Sequence, residues 1–353
     1  MTFYQNLLHK SVLRAGIAIL GAALCATAWV GRADAKPTVT TFDPTGSIDT
    51  YAWCINAAGT IGGYYEDSGA VLHGFVRAAD GTITSFDPEG SVSTGVTGIN
   101  AAGTVAGIYH DASSVAHGFM RFADGSITTF DAPKAGSSAN EGTYPYSIDD
   151  KTLIAGNYID AKRVSHAFMR AANANFLVVS YPDSQGTYFY GISDTRVMVG
   201  DYEDESYVYH GLYRAADGTL TSFDAVARPN TTAESINDAG TMTGVSFNRN
   251  EVNTGWVRTA GGSIVSFNAP GAGTGVLQGT RALSINSKGN IAGFYTDGTD
   301  RNHGFLRLAN GTIHRIDPPG SINTLGRSLN EKDAVTGYYV AKSGKIHGFL
   351  WSP

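Results

Sequence analysis

Two cysteines, Cys25 and Cys54, are all that 353 residues contain. Cys25 falls in a leader-like stretch described below, so beyond it only Cys54 remains and no internal disulfide can form. An exported chain without such staples draws its stability from a large core, which roughly 318 residues can supply. Basic charge is also short, with 25 Lys plus Arg against 31 Asp plus Glu. Beyond residue 35 the balance is 22 against 30, a net charge of −8. A surface of that sign argues against nucleic acid and anionic membrane as partners. Long apolar runs are missing, so no segment after the leader reads as a transmembrane helix and no membrane insertion is expected. Long stretches of helical period are missing as well, and neither a GxSxG nor an HExxH signature occurs.

What is present begins with that leader. MTFYQNLLHKSVLRAG carries Lys10 and Arg14, IAILGAALCATAWVG is apolar but too short to span a bilayer, and Ala33-Asp34-Ala35 fits an A-x-A cleavage site. The expectation is a Sec-type signal peptide over residues 1–35, cut after Ala35, and a secreted or periplasmic protein. Leu24 directly before Cys25 is larger than the small residue a lipoprotein signal places there, which argues against a lipid anchor.

The rest of the chain repeats itself. GYYEDSGAVLHGF at residue 63 returns as GIYHDASSVAHGF, GNYIDAKRVSHAF, GDYEDESYVYHGL, GFYTDGTDRNHGF and GYYVAKSGKIHGF. The anchor glycines Gly63, Gly107, Gly156, Gly200, Gly244, Gly293 and Gly337 mark seven repeats spaced by 44 or 49 residues. Seven residues before each stands Asn56, Asn100, Asp149, Ser193, Asn237, Asn286 or Asn330, short polar side chains suited to a tight turn. Strand a ends at that turn and strand b runs through the anchor glycine. Strand c carries the HGF element, and strand d reads TITSFDP or a variant, often stopped by proline. Four short strands in about 44 residues is the period of a propeller blade. The seventh repeat ends with strand c, while TVTTFDP, an unclaimed strand d, precedes the first strand a. These features predict an all-β chain, a seven-bladed β-propeller of four-stranded blades. Its ring would be closed by the N-terminal strand joining the C-terminal blade, which removes exposed sheet edges. A single domain is expected over 36–353, with blades over 51–88, 94–132, 143–182, 187–225, 231–269, 280–318, and 324–353 with 38–43.

Ile-Asn-x-x-Gly, then Gly-x-Tyr, then His-Ala-Phe or His-Gly-Phe, then Phe-Asp-x-Pro-Gly is the order seen here in INAAGTVAGIY, AHGFMRF and TFDAP. In that order the chain resembles the bacterial exported HAF-repeat family, over essentially its whole length beyond the leader. The resemblance implies the repeat architecture; the family carries no agreed activity or catalytic motif. The fifth repeat departs most, with SFNRNEVNTGW where GxY and HGF stand elsewhere, and divergent local structure is expected there.

The histidine ten residues after each anchor is His73, His117, His166, His210, His303 or His347, with Thr254 in the fifth repeat. A chemical group is needed once per site, whereas a group that shapes a blade is needed in every blade, so the histidine reads as structural. Its expected partner is the aspartate six residues upstream, Asp67, Asp111, Asp160, Asp204 or Asp297, with Ala341 in the seventh repeat. Such a pair satisfies polar groups that otherwise cost about 1 to 3 kcal/mol. Four residues after the histidine comes Arg77, Arg121, Arg170, Arg214, Arg258 or Arg307, expected to form an ion pair with the strand-d Phe-Asp of its own blade. No cofactor is expected, because the histidines lack the closely spaced second ligand of a zinc motif. YEDSG and YTDGTD faintly resemble calcium loops but lack the alternating oxygens and terminal glutamate of an EF-hand, leaving calcium as a minor alternative.

Columns that vary while their neighbours repeat are the place to look for function. Two residues before the last Ile or Leu of strand a stand Trp53, Thr97, Tyr146, Tyr190, Glu234, Leu283 and Arg327. Two earlier stand Tyr51, Gly95, Tyr144, Tyr188, Thr232, Arg281 and Leu325. Alternation puts both columns on one face, near a mouth of the central channel if strand a is innermost. Tyr51, Trp53, Tyr144, Tyr146, Tyr188, Tyr190, Glu234, Arg281 and Arg327 are therefore the candidate ligand-binding residues. Aromatic rings stack on sugar faces and arginine grips carboxylates, so the expectation is an exported, monomeric protein that binds a polysaccharide or another small polar ligand.

The rival reading is an enzyme at the same mouth, a polysaccharide lyase in preference to a glycoside hydrolase. Tyr146 or Tyr190 would serve as base and acid, and Arg281 or Arg327 would neutralise a carboxylate. Hydrolysis wants two facing carboxylates, and the strand-a columns offer only Glu234. The third reading is an envelope scaffold without a site. The tyrosine- and acid-rich fourth repeat, YPDSQGTYFYGISDTRVMVGDYEDESYVYHGLYR, reads either as a carbohydrate-contact surface or as a soluble outer edge, with the outer edge preferred.

Overall fold

Short alternating runs closed by Gly and Asx turns leave room only for strands. The computed structural model describes residues 36–225 and 230–353, and these hold 28 strands and no helix. The expected leader, residues 1–35, lies outside the described residues. In the first meander, strand a is Ser47–Ile55, strand b Ile61–Asp67, strand c Leu72–Arg77 and strand d Ile83–Phe86, each antiparallel to the next. The same pairing returns in meanders that begin at Ser93, Gly142, Gly186, Thr231 and Gly279. The last meander is built from Ser321–Leu329, Val335–Ala341 and Ile346–Ser352, and its fourth strand is Thr38–Phe42, with Val39 opposite Trp351. Adjacent meanders also meet through single parallel pairs such as Leu72 with Ser93 and Ser165 with Gly186. Pro37–Pro353 forms one compact unit.

The a–b turn explains its asparagine. Asn56 Oδ1 accepts the Thr60 N–H at 3.0 Å and its carbonyl accepts the Gly59 N–H, with Gly59 at φ +93°. The core follows from strand c, whose Phe75, Phe119, Phe168, Leu212, Trp256, Phe305 and Phe349 are fully buried. Burying each such side chain contributes about 1.5 to 3 kcal/mol. The anchor glycine is the space that ring occupies: a Cβ on Gly107 would lie 2.2 Å from the Gly95 carbonyl and 2.5 Å from the Phe119 ring.

Five of the six repeat histidines span two turns. Nε2 of His73, His117, His166, His210 and His303 lies 3.4, 3.6, 3.2, 3.3 and 3.1 Å from the expected upstream aspartate. Nδ1 meets a second group 14 residues downstream: Asp87 at 2.7 Å, Asp131 at 2.9 Å, and Ser180, Asp224 and Asp317 at 3.0 Å. His347 bonds Asp43 at 2.7 Å, an aspartate delivered by the N-terminal strand.

That second partner is the strand-d aspartate expected to pair with arginine, so the ion-pair expectation is corrected. The guanidinium groups point instead to the strand-d ring of the preceding meander. Arg77 lies 4.9 Å from the Phe42 centroid, Arg121 5.0 Å from Phe86, Arg170 4.5 Å from Phe130 and Arg307 4.7 Å from Phe267. These cation–π contacts fasten one meander to the next at about 0.5 to 2 kcal/mol each.

The fifth meander does not diverge in its described strands. Thr231–Ile236, Met242–Phe247, Asn253–Arg258 and Ile264–Phe267 pair as their counterparts do. Asn248, in place of the turn aspartate, still accepts the Asn250 and Val252 N–H groups at 2.9 and 3.1 Å. An amide oxygen satisfies this turn as well as a carboxylate does.

Candidate functional site

In every meander the register between strands a and b slips by one residue near the end of strand a, and in the first and seventh it also slips near the start. The extra residue near the end is Trp53, Thr97, Tyr146, Tyr190, Glu234, Leu283 or Arg327. A bulge re-aims its side chain and suspends strict alternation, so alternation is not what relates the two candidate columns. The other column faces strand b directly. Tyr51 pairs with Tyr64, Tyr144 with Asn157, Tyr188 with Asp201, Arg281 with Phe294 and Leu325 with Tyr338.

The first and seventh meanders build an aromatic group. Tyr51 stacks on Tyr64 at 4.8 Å, Tyr338 meets Tyr51 edge-on at 5.1 Å, and Trp53 lies 5.8 Å from Tyr64. Arg327 lies over Trp53 at 3.7 Å. Tyr51 and Trp53 are half-buried while Tyr64 is buried. Burial, helped by the Asp49 charge, pushes the Tyr51 hydroxyl well above its ordinary pKa; burial does the same to Tyr64 and raises Tyr338 against the opposing charge of Arg327. All three are therefore phenols that can donate. Arg281 stands over Phe294 at 5.9 Å.

The third, fourth and fifth meanders build an acidic tyrosine group. Tyr146 meets Tyr190 edge-on at 5.4 Å, and Tyr190 runs parallel to Tyr188 at 6.3 Å. Tyr144, buried, is pushed up to about 12 by burial and by the Glu141 charge. Asp201 is 1% exposed, hydrogen-bonded to Thr232 and Tyr190, and feels the charges of Glu234 and Glu203. Burial is the main reason its carboxyl rises well above the usual carboxylate range; the two glutamates add to it and the bonds only partly oppose it. Burial likewise raises Tyr146, with further contributions from Tyr144, Tyr188, Asp201 and Glu234, so its hydroxyl keeps its proton and is poorly suited to act as a base.

The structure thus divides the candidates. Glu234 acts on Tyr146 and Asp201, whereas Arg327 acts on Tyr64 and Tyr338. Asp201 was not among the candidates, and the soluble-edge reading of the fourth repeat is corrected for its inner strands, where Tyr188 and Asp201 are buried, while Tyr207 is exposed. The available signal was its strand-b column, Tyr64, Ile108, Asn157, Asp201, Val245, Phe294 and Tyr338, in which Asp201 is the one ionised residue type among aromatic, aliphatic and amide side chains.

At the asparagine end of strand a lies a depression of about 180 Å³, lined by Asn100, Asp149, Asp150, Asp194, Asp238 and Glu331 among others, and by none of the candidate residues. A belt of side chains borders it. Asn56 Nδ2 donates to the Asn100 carbonyl at 3.0 Å, Asn237 to Asn286 at 2.9 Å, Asn286 to Asn330 at 3.1 Å, and Asn330 to Asn56 at 3.2 Å. Among the described residues no three His, Cys, Asp or Glu side chains converge to hold a metal ion. The calcium-like loops spend an aspartate oxygen on backbone: Asp67 Oδ1 accepts Gly69 and Val71 N–H at 2.8 and 3.0 Å. Among the described residues no helix is long and apolar enough to cross a membrane.

No family model matches the chain, nor does any curated protein. Among solved structures, the BP39L lectin from Burkholderia pseudomallei is similar with a TM-score of 0.56 at 7% identity, over 87% of this chain and 98% of the lectin. The β-propeller domain of the Trilobed protease from Pyrococcus furiosus, described as having an open velcro topology, gives 0.55 at 10% identity, over 86% of this chain and 95% of that domain. Puromycin hydrolase gives 0.54 at 13% identity, over 85% of this chain and 53% of the hydrolase. At these identities the likeness concerns fold alone, and the fold is all-β, of the β-propeller kind.

Proposed function

We propose that this is an exported, monomeric seven-bladed propeller of the HAF-repeat kind that binds a polysaccharide through its inner strands. Closure of the ring is supported by the pairing of Thr38–Phe42 with Ile346–Ser352 and by the bond from Asn330 back to Asn56. The observation that carries the ligand reading is the group of Tyr51, Trp53, Tyr64 and Tyr338 with Arg327 over Trp53. Ring faces suit the apolar faces of sugars, phenols supply hydrogen-bond donors, and a guanidinium suits an acidic sugar. The protein from Burkholderia pseudomallei, a lectin by its description, is consistent with sugar recognition on such a fold.

The test is titration with soluble neutral and acidic polysaccharides, read by tryptophan fluorescence and size-exclusion co-elution. Binding is expected to shift the fluorescence, and Trp53→Phe to weaken affinity about tenfold. A folded protein that binds no member of a broad panel would defeat the reading.

One observation favours glycoside hydrolysis as a second reading. Asp201 lies within electrostatic reach of Glu234 and adds the carboxyl that strand a alone lacks, and a pair of neighbouring carboxyls is what such sites require. Polymer shortening abolished by Glu234→Gln would establish it; intact polymer after long incubation would exclude it. In a lyase a protonated Tyr146 suits the acid rather than the base.

A further inference from the structure

Arginines meet aromatic rings in two settings, and only one of them engages the guanidinium fully. Arg77, Arg121, Arg170 and Arg307 lie over the strand-d ring of the preceding meander and donate Nη1 to the carbonyl of their own next residue at 3.3 to 3.5 Å. Arg327, at the bulge of the last strand a, lies over Trp53 at 3.7 Å, closer than any of these. At that separation a planar guanidinium has room only to lie flat, since an edge-on group would drive a nitrogen into the indole. Its N–H donors then point outward around the rim of its plane. Arg327 makes no hydrogen bond and no salt bridge among the described residues.

The surroundings give that cation a direction. Tyr51, Trp53, Arg327 and Tyr338 are half-buried, so each keeps part of its surface open. Burial raises the hydroxyls of Tyr64 and Tyr338 and the Arg327 charge opposes it, whereas at Tyr51 burial is joined by the charges of Asp49 and Glu66. The aromatic group therefore has a positive end at Arg327 and a negative end at Asp49 and Glu66, with phenols between them. Beyond residue 35 the chain carries 22 basic against 30 acidic side chains, a net charge of −8. The molecule as a whole repels a polyanion, so a preference for acidic over neutral polymer has to come from a local contact.

We propose that the ligand of this group is a carboxylated sugar, and that Arg327, held flat by Trp53, selects it through paired hydrogen bonds to the carboxylate. Resting on the polysaccharide reading above, this narrows the ligand from polysaccharides in general to polyuronates. A carboxylate is planar and accepts two parallel N–H bonds from a guanidinium edge, which a single neutral hydroxyl cannot do. Stacking on the indole sets the fork before the ligand arrives, so little ordering remains to be done on binding. The phenols beside it donate to ring hydroxyls, and the acidic end sets the polarity of the bound chain.

The test is calorimetric titration and size-exclusion co-elution of the full protein in about 0.15 M salt, which screens the overall repulsion. The probes are polygalacturonate, alginate and hyaluronan, and the same three polymers with their carboxyl groups reduced to hydroxyls. Carrageenan, sulfated but free of uronate, is the third arm. At least one polyuronate should bind about tenfold or more tighter than its reduced form, with carrageenan no better than the reduced polymers. In Arg327→Gln the difference between the two forms should disappear, and Arg327→Lys, which keeps the charge without the fork, should retain only about threefold of it. Should Arg327→Gln not fold, full discrimination in Arg327→Lys would overturn the paired bond. Equal affinity of the native protein for both forms would overturn the inference and leave the polysaccharide reading intact. Tight carrageenan binding would assign the cation to sulfate instead, and discrimination surviving in Arg327→Gln would remove Arg327 from the role. Absence of binding to every polymer, reduced or not, would defeat the polysaccharide reading and this inference with it.

Discussion

The fifth and sixth meanders differ at three positions that change together. In the sixth, His303 is held between Asp297 at 3.1 Å and Asp317 at 3.0 Å. In the fifth, the corresponding residues are Thr254, Asn248 and Asn268. Strands b and c pair identically in both, Ser246 with Thr254 and Tyr295 with His303. The backbone therefore does not require the histidine. What the three positions share is charge: without an imidazole between them two nearby carboxylates would be left to repel, and both are replaced by amides. The third meander is intermediate, keeping Asp160 at 3.2 Å from His166 while the Ser180 hydroxyl bonds the other nitrogen at 3.0 Å.

The largest expected effect comes from breaking the complete set. His303→Ala leaves Asp297 and Asp317 without their shared partner and should cost about 2 to 3 kcal/mol in denaturant unfolding, while Thr254→Ala in the fifth meander should cost under about 0.5. Next, installing the set in the fifth meander with Asn248→Asp, Thr254→His and Asn268→Asp should gain about 1 kcal/mol, and Thr254→His alone should gain nothing. Additive single effects would show that the three positions are not a set.

The pH dependence sharpens the comparison further. Burial lowers the pKa of His73, but bonds and charges from Asp87 and Asp67 outweigh it, and the net shift is upward from 6.5. Its contribution is complete below pH 6.5 and is lost as pH rises through the raised folded value. Asp67 is lowered chiefly by the Val71 N–H, and in Asp297 bonds from Thr299 and His303 overcome burial to bring it to about 2. Their contributions are complete above 3.8 and are lost as pH falls through the lowered values. Tm should be highest between about pH 4 and 6.5 and decline above it, less steeply in His73→Gln. A smaller effect than the loss of His303 is expected for Arg121→Lys, which exchanges a planar cation over Phe86 for a point charge and should cost about 0.5 to 1 kcal/mol.

Relations across the a–b and b–c turns were legible in the sequence, and relations across the c–d hairpin or between meanders were not. The turn asparagine, the anchor glycine and the aspartate six residues before each histidine lie within one hairpin, where spacing determines contact. Asp87 escaped because its bond to His73 crosses the c–d hairpin, and Arg77 because Phe42 comes from the other end of the chain. The bulge at Trp53 adds one residue to strand a without changing the residue pattern, so alternation described the face incorrectly there. Asp201 was hidden by a repeat motif in which its position appears unconstrained, although its side chain is buried against Tyr190 and Thr232.

The most direct test of the division between repeated histidines and varied strand-a residues is to measure Tm and polysaccharide affinity side by side for His117→Gln and Trp53→Phe. The expected result is a lowered Tm with unchanged affinity for His117→Gln, and a nearly unchanged Tm with weakened affinity for Trp53→Phe. Full stability with lost binding in His117→Gln would make the repeated histidine part of the site and contradict the division.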